Sequence, residues 1–210
     1  FIIDDKIDKL NYKIIKKNDI YSFNTNLNIN KNSLLIDILN YKKKENLNSL
    51  LKLDGIYKSN KEIKFNLISL RQNDNSFLVK NLSLKDKLKI VSIDLLDLDY
   101  INNDKILNKI TLKRNKKNYK IKGKIFDANK LIEELLNNKK NNDDFSIFKN
   151  LNSNIDIKID KTYLDDSTYL ENLSSNIKFI NNKIDMLKLD SKFSNNKELK
   201  ITINLSLIHI

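Results

Sequence analysis

Through most of this 210-residue chain, apolar and polar side chains alternate with a period of two, a pattern that suits an extended strand with one dry and one wet face. Ile155, Ile157 and Ile159 alternate with Asn154, Asp156, Lys158 and Asp160, and Tyr119, Ile121, Gly123 and Ile125 with Lys120, Lys122 and Lys124. Leu199, Ile201 and Ile203 oppose Lys200, Thr202 and Asn204, while Phe23, Leu27 and Ile29 oppose Asn24, Asn26, Asn28 and Asn30. The same reading predicts strands over 63–70, 77–84, 88–101, 110–113, 177–180 and 184–193. In the last of these the phase passes from Ile184 and Met186 to Leu187 and Leu189, which predicts a β-bulge.

Polar clusters separate the runs, among them Asn73-Asp74-Asn75, Asn102-Asn103-Asp104, Asn181-Asn182-Lys183 and Asn195-Asn196-Lys197. With no proline and only Gly55 and Gly123, the tight turns fall to Asn, which tolerates left-handed backbone. One segment breaks the pattern: Ala128, Leu131, Ile132, Leu135 and Leu136 share one face of a helix that Asp127 can cap and Asn137 and Asn138 can end. Residues 139–144 then read as a polar loop, and Glu133 and Glu134 as solvated helix surface. A weaker helix is expected over Ser33 to Asn40, followed by a solvated loop at Lys42 to Glu45.

Composition closes off most bond-making chemistry. Without Cys there is no disulfide, thiol nucleophile or thiolate metal cluster, and a lone His209 cannot build a triad or a multi-histidine metal site. Two glycines cannot furnish a phosphate-cradling loop. Asp165 and Asp166 fall in an expected turn; Asp97 and Asp99 fall on the face opposite Asp94, so period-two geometry disperses that cluster. No cofactor, metal or catalytic residue is expected. The net charge of +12 comes almost wholly from lysine, since Arg71 and Arg114 are the only arginines; Lys, Asn and Ile together read as low-GC codon usage before electrostatics. No apolar run approaches the roughly 18 residues of a spanning helix.

The expected fold is mainly β: a long curled antiparallel β meander, an open β-groove, with one short amphipathic helix. About a dozen strands at ~4.8 Å make a sheet about 55 Å across, which must curl and whose apolar face must be covered. No linker divides residues 1–204. Residues 205–210, ending in His209 and Ile210, resemble a translated sequencing adapter, with a genuine terminal strand as the alternative.

From Tyr119 to Asn204 the order is an alternating strand, Phe126-Asp127-Ala128, a short helix, a polar loop and further alternating strands. This order resembles the AsmA-like superfamily of bacterial envelope proteins, of the YhdP and TamB type. The resemblance implies a partial β-groove segment of a periplasmic phospholipid-transfer protein, held to the inner membrane by an N-terminal anchor beyond this sequence. Its partners would be phospholipid acyl chains and components of the outer membrane, not nucleic acid. The residues expected to line the groove are Ile121, Ile125, Ile155, Ile157, Ile159, Ile177, Phe179, Leu187, Leu189, Ile201 and Ile203; for each, an ordinary sheet core is the alternative. Two other readings stay open: a basic protein that binds nucleic acid or an anionic surface, and a structural or adhesive β-repeat.

Overall fold

A computed structural model describes residues 8–59, 62–86, 88–138 and 148–205. The expected polar loop at 139–144 and residues 206–210 with His209 lie outside the described residues, as does the side chain of Glu134. The first meander comprises β1 (Lys9–Lys17), β2 (Ile20–Asn28), β3 (Leu34–Ile36), β4 (Tyr41–Lys43), β5 (Leu50–Lys58), β6 (Glu62–Gln72), β7 (Asn75–Lys85), β8 (Lys89–Ser92), β9 (Leu95–Ile101), β10 (Leu107–Asn115) and β11 (Asn118–Asp127). Helix α1 (Asn129–Asn138) leads to β12 (Ser153–Tyr163), β13 (Tyr169–Ile180), β14 (Lys183–Phe193) and β15 (Glu198–Asn204).

The fold is mainly β, one large curled sheet not closed into a barrel. Its strand order is β1-β2-β5-β6-β7-β9-β10-β11-β12-β13-β14-β15, with β8 beside β7. Among the described residues every strand pair is antiparallel except β11 and β12, which run parallel and are joined through α1, and a single parallel bridge links Ile90 to Phe148. Most of the positive-φ residues are asparagines, including Asn18, Asn73, Asn181 and Asn196 in hairpin turns. The expected bulge occurs between β13 and β14, where Phe179 pairs Ile184 but Lys178 pairs Met186.

Both glycines sit at register shifts. A Cβ on Gly55 would lie 2.4 Å from the Lys64 carbonyl oxygen and 2.7 Å from Phe23 Cζ, and one on Gly123 would lie 2.9 Å from the Lys109 carbonyl oxygen. Gly55 faces Phe65 where β5 and β6 shift, and Gly123 faces Ile110 where β10 and β11 shift. The missing side chain lets the bulged backbone close in, and the Phe23 and Phe65 rings meet edge to face at 5.6 Å.

Three expectations are corrected. The strand expected over 88–101 breaks at Ile93 and Asp94 into β8 and β9. The helix expected over Ser33 to Asn40 is instead β3, a single 3-10 turn at Asp37–Leu39 and a left-handed Asn40. This segment and β4 form a flap on the sheet: Tyr41 packs with Leu70, Phe77, Leu98 and Tyr100, flanked by Leu34, Ile36 and Leu39. Ring centroids of Tyr41 and Phe77 are 4.6 Å apart and those of Phe77 and Tyr100 4.8 Å; Tyr100 Oη donates to the Leu39 carbonyl at 3.0 Å.

The third correction concerns the loop at Lys42 to Glu45, where Lys43 is 0% exposed. Its Nζ donates to the carbonyls of Asn32 at 2.6 Å, Lys44 at 3.1 Å and Asn30 at 3.4 Å, which is how a buried ammonium replaces lost water. Burial pushes the Lys43 pKa down, against the opposing pull of Asp8 and Glu45. Asp8 grips the same loop from its donor side, accepting from the backbone N–H of Asn30 at 2.7 Å and Lys31 at 2.9 Å. At the start of α1 the Asp127 carboxylate accepts from Asn129 N–H at 3.0 Å and from Asn102 Nδ2 at 2.6 Å, while buried Asn108 accepts from Asp127 N–H at 2.7 Å.

Candidate functional site

Residues directly opposite one another in paired strands share a face, so the register traces rows across the sheet. One row runs Thr25, Leu53, Ile68, Val79, Leu96, Leu112, Ile121, Ile157, Ser175, Leu189 and Ile201, from β2 to β15. Apart from Thr25 and Ser175 it is wholly aliphatic. Its members are mostly half-buried, so this apolar face, termed the trough, is partly open rather than sealed; the cavities lined by Lys120, Asp156 and Lys188 and by Lys52, Ser69 and Lys80 lie on the opposite, polar face.

The trough has unequal sides. On one side Leu51, Leu70, Phe77, Leu98 and Ile110 pass beneath the flap, and α1 lies against the 3-10 turn of that flap. Ile159, opposite Gly123, belongs to this covered row and is 4% exposed. On the other side Phe23 and Phe65 continue the apolar face at β2 and β6, and Ile155, Ile177, Leu187 and Ile203 continue it from β12 to β15. There only Tyr119, among the residues of this row on β11 to β15, is fully buried; its ring lies 6.3 Å from that of Phe148.

Of the residues expected from the sequence, Ile121, Ile157, Leu189 and Ile201 stand on the trough floor, and Ile155, Ile177, Leu187 and Ile203 on the adjacent row. Phe179 faces Ser153 and Ile184 at the rim beyond. Ile125 is a correction. Lys109 pairs Ile125 while Ile110 pairs Gly123, so Lys124 is an extra residue and Ile125 turns to the face of Lys109, which holds Asp99. Phe126 takes the inward position, opposite buried Thr162. Period-two counting cannot cross a bulge without being told of it. The floor residues Leu53, Ile68, Val79, Leu96 and Leu112 were not singled out, although each lies in an alternating run; pairing them requires the register.

The outer face is polar and cross-linked. Asp54 accepts from Asn66 at 2.9 Å and Asn24 at 3.3 Å, Asp97 from Thr111 at 2.6 Å, and Asp156 from Asn176 at 2.6 Å. Lys178 pairs Asp185 at 2.7 Å, and at the margin of the apolar face, two residues beyond Leu112, Arg114 pairs Asp94 at 3.4 Å. Exposed pairs of this kind contribute about 0–1 kcal/mol each, so they select register more than they stabilise. Asp97 and Asp99 stay apart from Asp94, which lies in the bend before β9 and accepts from Asn81. Among the described residues no three His, Asp or Glu side chains group as metal ligands, and no helix is long and apolar enough to cross a membrane. Comparison with protein-family models, with curated proteins and with solved structures finds no match to this chain.

Proposed function

We propose that the trough shelters phospholipid acyl chains, as a segment of a periplasmic lipid-transfer protein that works between the inner and outer membranes and makes or breaks no covalent bond. The observation that carries this reading is the half-buried aliphatic row running unbroken from Leu53 through Ile157 on one face of a sheet whose edges, β1 and β15, pair with no further strand among the described residues. Each buried methylene of a bound chain contributes about 0.8 kcal/mol, so a continuous floor holds a tail without any polar anchor and lets it slide. The order of elements from Tyr119 to Asn204, which resembles AsmA-like proteins, supports the envelope setting.

A fluorescent long-chain fatty acid tests the trough directly. Ile121→Gln with Leu189→Gln places two amides on the floor, and Ile15→Gln on the outer face is the control. Binding weakens by about fivefold or more for the floor pair, with melting temperatures near that of the unsubstituted chain, and stays the same for the control. Unchanged binding by a folded floor variant overturns the reading.

A further inference from the structure

The strands run between two rims of turns. One rim carries the β1–β2, β5–β6, β7–β8, β10–β11 and β13–β14 connections; the other carries the flap and the β6–β7, β9–β10, β12–β13 and β14–β15 connections. Charge divides unevenly between them. The first rim holds Lys17, Lys58, Lys89, Lys116, Lys117 and Lys183, and of its acids Glu62 lies 3.7 Å from Lys58 and 3.5 Å from Lys85 and Asp86 pairs Lys149, while Asp19 in the β1–β2 turn is exposed. Lys17, Lys116, Lys117 and Lys183 are exposed and enter no ion pair among the described residues. No acid occurs between Asp104 and Asp127, the stretch that contains the β10–β11 hairpin. Codon usage accounts for lysine everywhere but not for this local lack of acids. The opposite rim interleaves its lysines with Asp74, Asp104, Asp165 and Asp166.

The basic rim also offers apolar tips. Leu88 stands in the β7–β8 turn with φ 66° and is 65% exposed, in a backbone conformation that elsewhere in this chain falls mostly to Asn. Ile180 is exposed beside Asn181 in the β13–β14 turn. The trough is closed by the flap on the far side, whereas on this side its apolar face reaches the rim through Tyr21, Tyr57, Ile63 and Leu84.

We infer that this rim docks on an anionic lipid bilayer, with its unpaired lysines among the headgroup phosphates and Leu88 in the interfacial layer. Lysines spaced along a line of turns act as point charges over a plane of phosphates, and an apolar tip between them adds burial in the interface. Nucleic acid fits less well: Arg114, the arginine of the hairpin, is tied to Asp94, Tyr119 is buried on the trough face, and Leu88 offers no ring for a base to stack on. The purpose of docking, bringing the open side of the trough to lipid, rests on the acyl-chain reading above; the docking itself does not.

The test uses the 210-residue chain in vesicle flotation, with phosphatidylcholine alone or mixed with phosphatidylglycerol. The chain floats with the mixed vesicles only, and less so as salt rises. The double variant Lys116→Glu with Lys117→Glu weakens that binding by about tenfold or more, and Leu88→Asn, which suits the positive φ, weakens it while leaving the fold intact. Lys105→Glu with Lys197→Glu on the opposite rim leaves it unchanged. Equal binding to neutral vesicles, equal loss from the opposite-rim variant, or an oligonucleotide that binds more tightly than mixed vesicles and is lost with the same variants overturns the inference. Fatty-acid binding without vesicles separates the two readings: flotation without fatty-acid binding sinks the trough and supports the rim, and fatty-acid binding without flotation does the reverse.

Discussion

Gly55 shows how one absent side chain can decide the course of a strand. A Cβ there meets a carbonyl oxygen at 2.4 Å and a phenyl carbon at 2.7 Å, and neither the β6 backbone nor the Phe23 ring, packed against Phe65, can withdraw easily. Gly55→Ala is therefore expected to cost about 2–3 kcal/mol, seen as a lower urea midpoint with an unchanged slope. Sequence reading assigned Gly no role beyond its scarcity, because the clash comes from strands distant in the chain. Asn is the opposite case: its use at Asn73 and Asn181 was legible because left-handed turns are local. Lys43 was not legible at all. Four charged residues in a row look solvated, and only the fold of the Asn30 to Asn32 backbone around one ammonium makes the interior accept it.

Among the elements, the β12–β13 turn depends on a single carboxylate. Asp165 accepts from Ser167 N–H at 2.8 Å and Thr168 N–H at 2.7 Å, and these bonds, with that from the Ser167 hydroxyl, hold its pKa down to about 2. The folded value lies below the ordinary 3.8, so the contribution of this turn is complete above that value and is lost as pH falls through about 2. The amide resonances of Ser167 and Thr168 are expected to titrate together with a midpoint near 2, and Asp165→Asn abolishes the step. Strands and α1 were legible because their periods, two and 3.6, are written in single segments. The flap was misread as helix although Leu34 and Ile36 already alternate with exposed Leu35 and Asp37. The break between β8 and β9 was hidden because Ile93 and Asp94 continue the alternation that the backbone abandons.

At the scale of the whole molecule, the open sheet must keep its two edges from pairing with other copies. On β1 the outward positions carry Lys9 and Lys13, charges of the kind that discourage a neighbouring strand. Replacing both with Val leaves Leu10, Tyr12 and Ile14 on one face and removes two of the three lysines from the other, beside Asn11 and Ile15. Self-association is the expected outcome, read by sedimentation velocity as larger species than the unsubstituted chain forms at equal concentration. The candidate trough was legible in its second half, where the alternation of Ile155, Ile157 and Ile159 is nearly perfect. It was missed in the first half, where bulges at Asp54/Gly55 and in β10–β11 shift the phase and only strand pairing restores the row.

The near-sequential strand order has a further result for biosynthesis. Because each strand from β5 to β7 and from β9 to β11 lies beside its predecessor, a polypeptide emerging amino end first from a ribosome or a secretion pore can add every new strand to an edge already in place. The pairing of β5 with β2 must wait for the flap, and the parallel junction of β11 with β12 must wait for the connection through α1, so assembly pauses at each of these steps.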